Sequence, residues 1–111
     1  IGCAQMEQLP DFLSRKRQVA HLYRDFFSDI GITFIDEPPG CRSNFWLNAI
    51  MLKDKETRDT FLAYMNEHGI QCRPVWRLMP DLPMYASCQT DCLKNATYFA
   101  QRIVNIPSST V

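Results

Sequence analysis

In the stretch Tyr64-Met65-Asn66-Glu67-His68-Gly69-Ile70-Gln71-Cys72-Arg73-Pro74-Val75-Trp76 a helical pattern stops and an extended one begins. Gly69 can take the left-handed conformation that ends a helix, and the apolar Ile70 behind it gives the glycine-then-apolar arrangement of a Schellman cap. Upstream, Phe61, Leu62 and Met65 recur at helical spacing while Lys55, Glu56, Arg58 and Asp59 stay polar, and Asp54 is a good N-cap. Downstream, Ile70 to Trp76 reads as a strand. Pro74 favours an edge position, or the end of the strand, because it cannot donate to a ladder.

Working outward, Phe45 to Leu52 is a dense apolar run, too short for an ordinary helix and bounded by Ser43-Asn44 and Lys53-Asp54, which reads as another strand. Before it, Leu9 to Ile30 places Phe12, Leu13, Val19, Ala20, Tyr23, Phe26, Phe27 and Ile30 on one helical face, with Arg15, Lys16, Arg17, Arg24 and Asp25 opposite. Pro10 suits the first turn of this helix. The pattern does not decide whether Ile1 to Gln8 forms a separate short helix or extends this one. Gly31 can end it, Ile32 to Ile35 then reads as extended, and Glu37-Pro38-Pro39-Gly40 marks a loop. After Trp76, Pro80 and Pro83 exclude a regular element from Leu78 to Ser87. Thr90 or Asp91 is expected to cap a last helix carrying Leu93, Ala96, Ala100 and Ile103 on one face, before an extended Val104 to Ile106. The order helix, strand, strand, helix, strand, loop, helix, strand predicts an α+β fold: a small, mostly antiparallel sheet with helices packed on one face.

The chain has 111 residues, and twelve Lys+Arg balance twelve Asp+Glu. That balance argues against nucleic-acid and anionic-membrane partners, which need surplus positive charge. No apolar run approaches the roughly 20 residues needed to span a bilayer. Five cysteines, Cys3, Cys41, Cys72, Cys88 and Cys92, form no C-x-x-C pair and have no histidine at zinc-finger spacing. They read as reduced thiols of a cytoplasmic chain, with no metal site. His21 and His68 read as structural or exposed, and no catalytic constellation emerges from spacing alone. The segment from Gly69 to Tyr85 differs in kind. It delivers Arg73, Trp76 and Arg77 into a proline-stiffened loop ending in Tyr85. Guanidinium groups give forked donors for phosphate or carboxylate, and the aromatics give flat surfaces for a ring. An ordinary edge strand with solvated arginines is the plainer reading of the same residues.

At this segment the sequence resembles the carboxy-terminal small domain of the sugar-nucleotide aminotransferases of the DegT/StrS type. The resemblance runs through Gly2-Cys3-Ala4-Gln5-Met6-Glu7-Gln8-Leu9 with Arg17 and Tyr23-Arg24, then Gly69-Ile70-Gln71-Cys72-Arg73-Pro74, Leu82-Pro83-Met84-Tyr85, and Val104-Asn105-Ile106-Pro107-Ser108-Ser109. It implies that residues 1–111 are one domain, the carboxy-terminal fragment of a longer homodimeric enzyme of type I aminotransferase fold. That enzyme would use pyridoxal phosphate and an amino-acid donor to aminate a nucleotide-linked keto-deoxysugar for bacterial surface glycans. The cofactor lysine and phosphate-binding residues would lie in the missing large domain, leaving the fragment inactive alone and with no cofactor-binding residues of its own. Arg73, Trp76, Arg77 and Tyr85 would face the nucleotide-sugar. Pro80 stands where many relatives have a histidine, a departure that bears on the sugar accepted or on whether activity is retained. The competing expectation is a free-standing, non-catalytic α+β module for ligand binding or dimerisation.

Overall fold

A computed structural model describes residues 2–109. Helix α1 (Gly2–Asp29) leads into strands β1 (Thr33–Phe34) and β2 (Asn48–Met51), helix α2 (Lys55–Glu67), strand β3 (Arg73–Pro74), helix α3 (Lys94–Ala100) and strand β4 (Ile103–Ile106). The strands form one sheet in the order β1-β2-β4-β3, antiparallel at every step. Strand β4 therefore lies between the two strands that α2 connects. The order of elements and the α+β class agree with the sequence reading.

Both glycine caps are present. At Gly69 (φ +77°) the Gly69 N–H donates to Asn66 O and the Ile70 N–H to Met65 O, the two bonds of a Schellman motif. The same pair recurs at Gly31 (φ +72°), from Gly31 to Ser28 O and from Ile32 to Phe27 O. Asp54 caps α2 by accepting from the Thr57 N–H at 2.8 Å and the Thr57 hydroxyl at 2.7 Å.

The core lies between the sheet and the two longer helices. Ile50 and Val104 face each other across β2 and β4, both wholly buried. Phe27, Leu52, Cys72 and Ile106 complete the cluster, with Tyr23 from α1 and Phe61, Leu62 and Met65 from α2 packed against it. Side chains alternate across a strand, so burial of Ile50 and Val104 turns Ala49, Met51, Ile103 and Asn105 to the other face.

Five local expectations are corrected. Residues 2–8 continue α1, so Pro10 lies inside the helix rather than in its first turn, and Ile1 lies outside the described residues. Only Ala20 and Phe27 of α1 are buried, whereas Phe12, Phe26 and Ile30 are 40%, 58% and 54% exposed. Lys16, Tyr23 and Arg24 are partly buried instead, Tyr23 against the core and the two cations with their heads on carbonyl or carboxylate groups of the chain. The strand expected over Phe45 to Leu52 begins only at Asn48. The strand expected over Ile70 to Trp76 contracts to Arg73–Pro74, because a proline at the sheet edge ends the ladder. Finally, α3 begins at Lys94 behind a left-handed Leu93 (φ +48°), and Asp91 accepts from the Leu93 N–H in a turn that precedes the helix.

The chain exposes 8575 Å² and has a radius of gyration of 16.5 Å. A self-contained globule of 12.9 kDa would expose about 6,300 Å² and have a radius near 13 Å.

Candidate functional site

Asn66, in the last turn of α2, grips the backbone that enters β3. Its Nδ2 donates to Cys72 O at 3.0 Å, and its Oδ1 accepts from the Cys72 N–H at 3.3 Å. Cys72 buries its side chain in the core, where burial pushes the thiol pKa up. By strand alternation the next residue, Arg73, is turned away from the core, in register with Asn105 of β4.

An open groove of about 660 Å³ lies here, at the end of the sheet where the chain leaves β4. Arg73 and Trp76 from β3 and the chain beyond it, Asn105 and Ser108 from β4 and the chain beyond it, and Lys16 and Trp46 all line it. Trp76 is 81% exposed and Trp46 64% exposed. Arg73 makes no hydrogen bond or ion pair with any described residue, so among these residues nothing takes up its guanidinium donors. Lys16 is committed: its Nζ donates to Ser108 O at 2.6 Å and to Trp46 O at 3.3 Å, tying α1 to both ends of the groove. A guanidinium without a partner among the described residues, in a groove that two tryptophans line, can hold an anionic group while an adjoining ring lies on an indole face.

The structure thus brings Arg73 and Trp76 together. Arg77 and Tyr85 do not line this groove. Arg77 is exposed beyond it, and Tyr85 ends a second short 3-10 turn, Pro83–Tyr85, which follows one at Met79–Asp81 that holds Pro80. Sequence reasoning missed Trp46, Lys16 and Asn105. Trp46 was hidden in an apolar run read as strand, although Ser43-Asn44 signals a turn just before it. That turn is built as the signal implies: Ser43 Oγ accepts from the Phe45 N–H and Asn44 Oδ1 from the Trp46 N–H, both at 3.0 Å. Phe45 sits in the left-handed region at φ +47°, which costs a non-glycine residue about 1–2 kcal/mol.

Holding that turn in place is a network on α1. The Arg17 guanidinium forks onto Glu37 through Nη2 to Oε1 at 2.6 Å and Nη1 to Oε2 at 3.1 Å, and Nη1 also donates to Ser43 O at 2.6 Å. Glu37 Oε2 accepts the Ser43 N–H at 2.6 Å, and Arg17 stacks over the Phe45 ring at 5.3 Å. The Arg17 hydrogen bonds, followed by that from Ser43, lower the Glu37 pKa from the ordinary 4.5 to about 2.

The described lysines do not form a cofactor site. Lys16 is bound to carbonyls, Lys55 pairs with Asp59 at 3.1 Å, and Lys53 and Lys94 are exposed. All five cysteines are free thiols, and among the described residues no helix is long and apolar enough to cross a membrane.

These features define an α+β fold with an open groove that Arg73, Trp76 and Trp46 line. The chain belongs to the DegT/DnrJ/EryC1/StrS aminotransferase family, whose model it matches over residues 1–110. It is 28% identical to the GDP-perosamine synthase of Vibrio cholerae over 97% of this chain and 30% of that protein. It is 33% identical to the GDP-4-keto-6-deoxy-D-mannose 3-dehydratase of Escherichia coli O55:H7 over 68% of this chain and 20% of that protein. The fold superposes on the sugar aminotransferase CalS13 of Micromonospora echinospora with a TM-score of 0.83 and 25% identity, covering 97% of this chain and 28% of that one. The chain thus spans less than a third of the length of the curated relatives it matches.

Proposed function

We propose that this chain is the carboxy-terminal, substrate-side domain of an aminotransferase that aminates a nucleotide-linked keto-deoxysugar, a building block of bacterial surface glycans. The observation that carries the reading is the unpaired Arg73 beside Trp76 in the groove. A nucleotide-sugar offers what they fit: a diphosphate for the guanidinium and a ring for the indole. Arg77 and Tyr85, on the loop beyond the groove, would meet parts of the ligand extending past it.

Family membership supports the reaction class, and pyridoxal phosphate would supply its electron sink. The lysines described above do not fit that cofactor, so its site is assigned to the larger part of the enzyme, outside this chain. That part would also bind the amino-acid donor, in a cytoplasmic homodimer. The large exposed area supports a covered domain over a free-standing module.

Replacing Arg73 with Ala in the full-length protein removes hydrogen bonds to a charged group and is expected to raise KM for the nucleotide-sugar about 10- to 100-fold. Unchanged KM and kcat would refute the assignment. One relative is named as a dehydratase, so the product must also be read. Nitrogen from a 15N-labelled amino-acid donor appears in the sugar on amination and is absent from it after dehydration.

A further inference from the structure

We infer that the Arg17–Glu37–Ser43 network is a positioning latch that holds Trp46 as the second aromatic wall of the groove. The inference rests on the groove being the nucleotide-sugar site. Its starting point is a backbone outlier. Phe45 occupies a left-handed conformation that a phenylalanine disfavours, and such a residue persists only where its surroundings over-determine it.

The surroundings do so from every side. Ser43 is gripped at both backbone polar groups, its N–H by Glu37 and its carbonyl by Arg17. Its hydroxyl accepts the Phe45 N–H. The Phe45 ring is buried under the Arg17 guanidinium and 6.4 Å from the Phe34 ring. Trp46 follows directly, largely exposed and lining the same groove as Trp76. Four groups thus fix the residue before an indole that packs little within the chain, and a loop needed only for stability would bury that indole. Lys16 secures the carbonyl of the same residue from the groove side. Trp46 is therefore assigned as a ligand-contacting residue, and Arg17 and Glu37 as residues acting through it.

The test uses the full-length protein and the variants Glu37→Gln, Trp46→Ala, their double mutant, and Arg73→Ala. The glutamine of Glu37→Gln matches glutamate in size but places an amide N–H against the Arg17 and Ser43 donors. Hydrogen exchange of the peptide spanning residues 43–47 reads the latch without any ligand. Glu37→Gln is expected to speed it about tenfold or more, well beyond any change in the peptides of β2 and β4, and unchanged exchange overturns the latch. Binding is read with GDP-mannose, UDP-N-acetylglucosamine and dTDP-glucose as stable probes. Trp46→Ala should weaken binding of the accepted probe about tenfold, and Glu37→Gln should weaken it in wild type but add nothing in the Trp46→Ala background. Additive losses overturn the inference, since a general structural role has no reason to act through Trp46. If Arg73→Ala loses affinity while Trp46→Ala and Glu37→Gln do not, the groove reading stands and this inference falls. If wild type binds none of the three probes, the groove reading and the ligand role of Trp46 fall together, and exchange alone decides the latch.

Discussion

Asn48 should be replaceable by leucine with a gain in stability, which is unusual for a polar residue at the centre of a sheet. It is wholly buried in β2, on the same face as Ile50 and in register with Ile106. Its backbone N–H is satisfied by Ser108 Oγ at 2.7 Å, but neither Oδ1 nor Nδ2 of its side chain has a partner among the described residues. Burying an unpaired amide costs about 1–3 kcal/mol. Leucine branches at the same atom and carries methyl groups in place of the oxygen and nitrogen, so Asn48→Leu removes that cost. Its fuller volume returns about 1 kcal/mol as packing strain. The expected net effect is a gain of about 1 kcal/mol, which at a slope of about 1–3 kcal/mol/M raises the urea midpoint by roughly 0.5 M. Ile50→Ala, two residues along on the same face, provides the contrast and should cost about 2–5 kcal/mol. Urea unfolding followed by tryptophan emission measures both. A lower midpoint for Asn48→Leu at unchanged slope would refute the reasoning, because only an amide with a partner to lose is harmed by the exchange.

Gly69→Ala meets open space, since nothing lies within 4 Å of the added Cβ. Its cost is therefore purely that of a left-handed alanine, about 1 kcal/mol after the entropy gained in the unfolded chain, and a shift in urea midpoint reads it. The Glu37 latch has a pH signature. Because folding depresses its pKa to about 2, its contribution is complete above the ordinary 4.5 and is lost as pH falls through the folded value. The stability difference between wild type and Glu37→Gln should thus stay flat from pH 8 to 5 and vanish between about 4.5 and 2. A difference that changes between pH 6 and 8 would exclude this carboxylate as its source.

What the sequence made legible is whatever is encoded within one turn of chain. The Gly69-Ile70 cap, the helix stop at Gly31 and the Asp54 cap are all local pairings between a residue and its nearest backbone, and all three are present. Arg73 and Trp76 were legible as residue types, although their meeting with Lys16, Trp46 and Asn105 depends on β4 lying beside β3. The misses share a tertiary cause. Arg17 looked like part of a solvated face because its partner is twenty residues away, beyond the end of α1 and strand β1. Trp46 looked like part of a strand because its run is apolar, while the turn exposing it is held both by Ser43 and Asn44 beside it and by Arg17 of α1. Asp91 looked like a helix cap, and its carboxylate instead closes the turn around Leu93.

The uncovered surface explains why the periodicity of α1 misled in one particular way. Its apolar band is too wide for the sheet to cover: Ala20 and Phe27 meet the sheet, while Phe12, Leu22, Phe26 and Ile30 remain exposed. The chain as a whole exposes about 2,300 Å² beyond a self-contained globule of its mass, and this stripe is one contiguous apolar part of that excess. Alone at high concentration the 111-residue chain should therefore self-associate through the stripe, as exposed apolar patches do. Leu22→Glu, at the most exposed position of the stripe, should return it to a monomer by light scattering with little change in its urea midpoint. A wild-type chain that stays monomeric at millimolar concentration would show that the stripe is merely exposed.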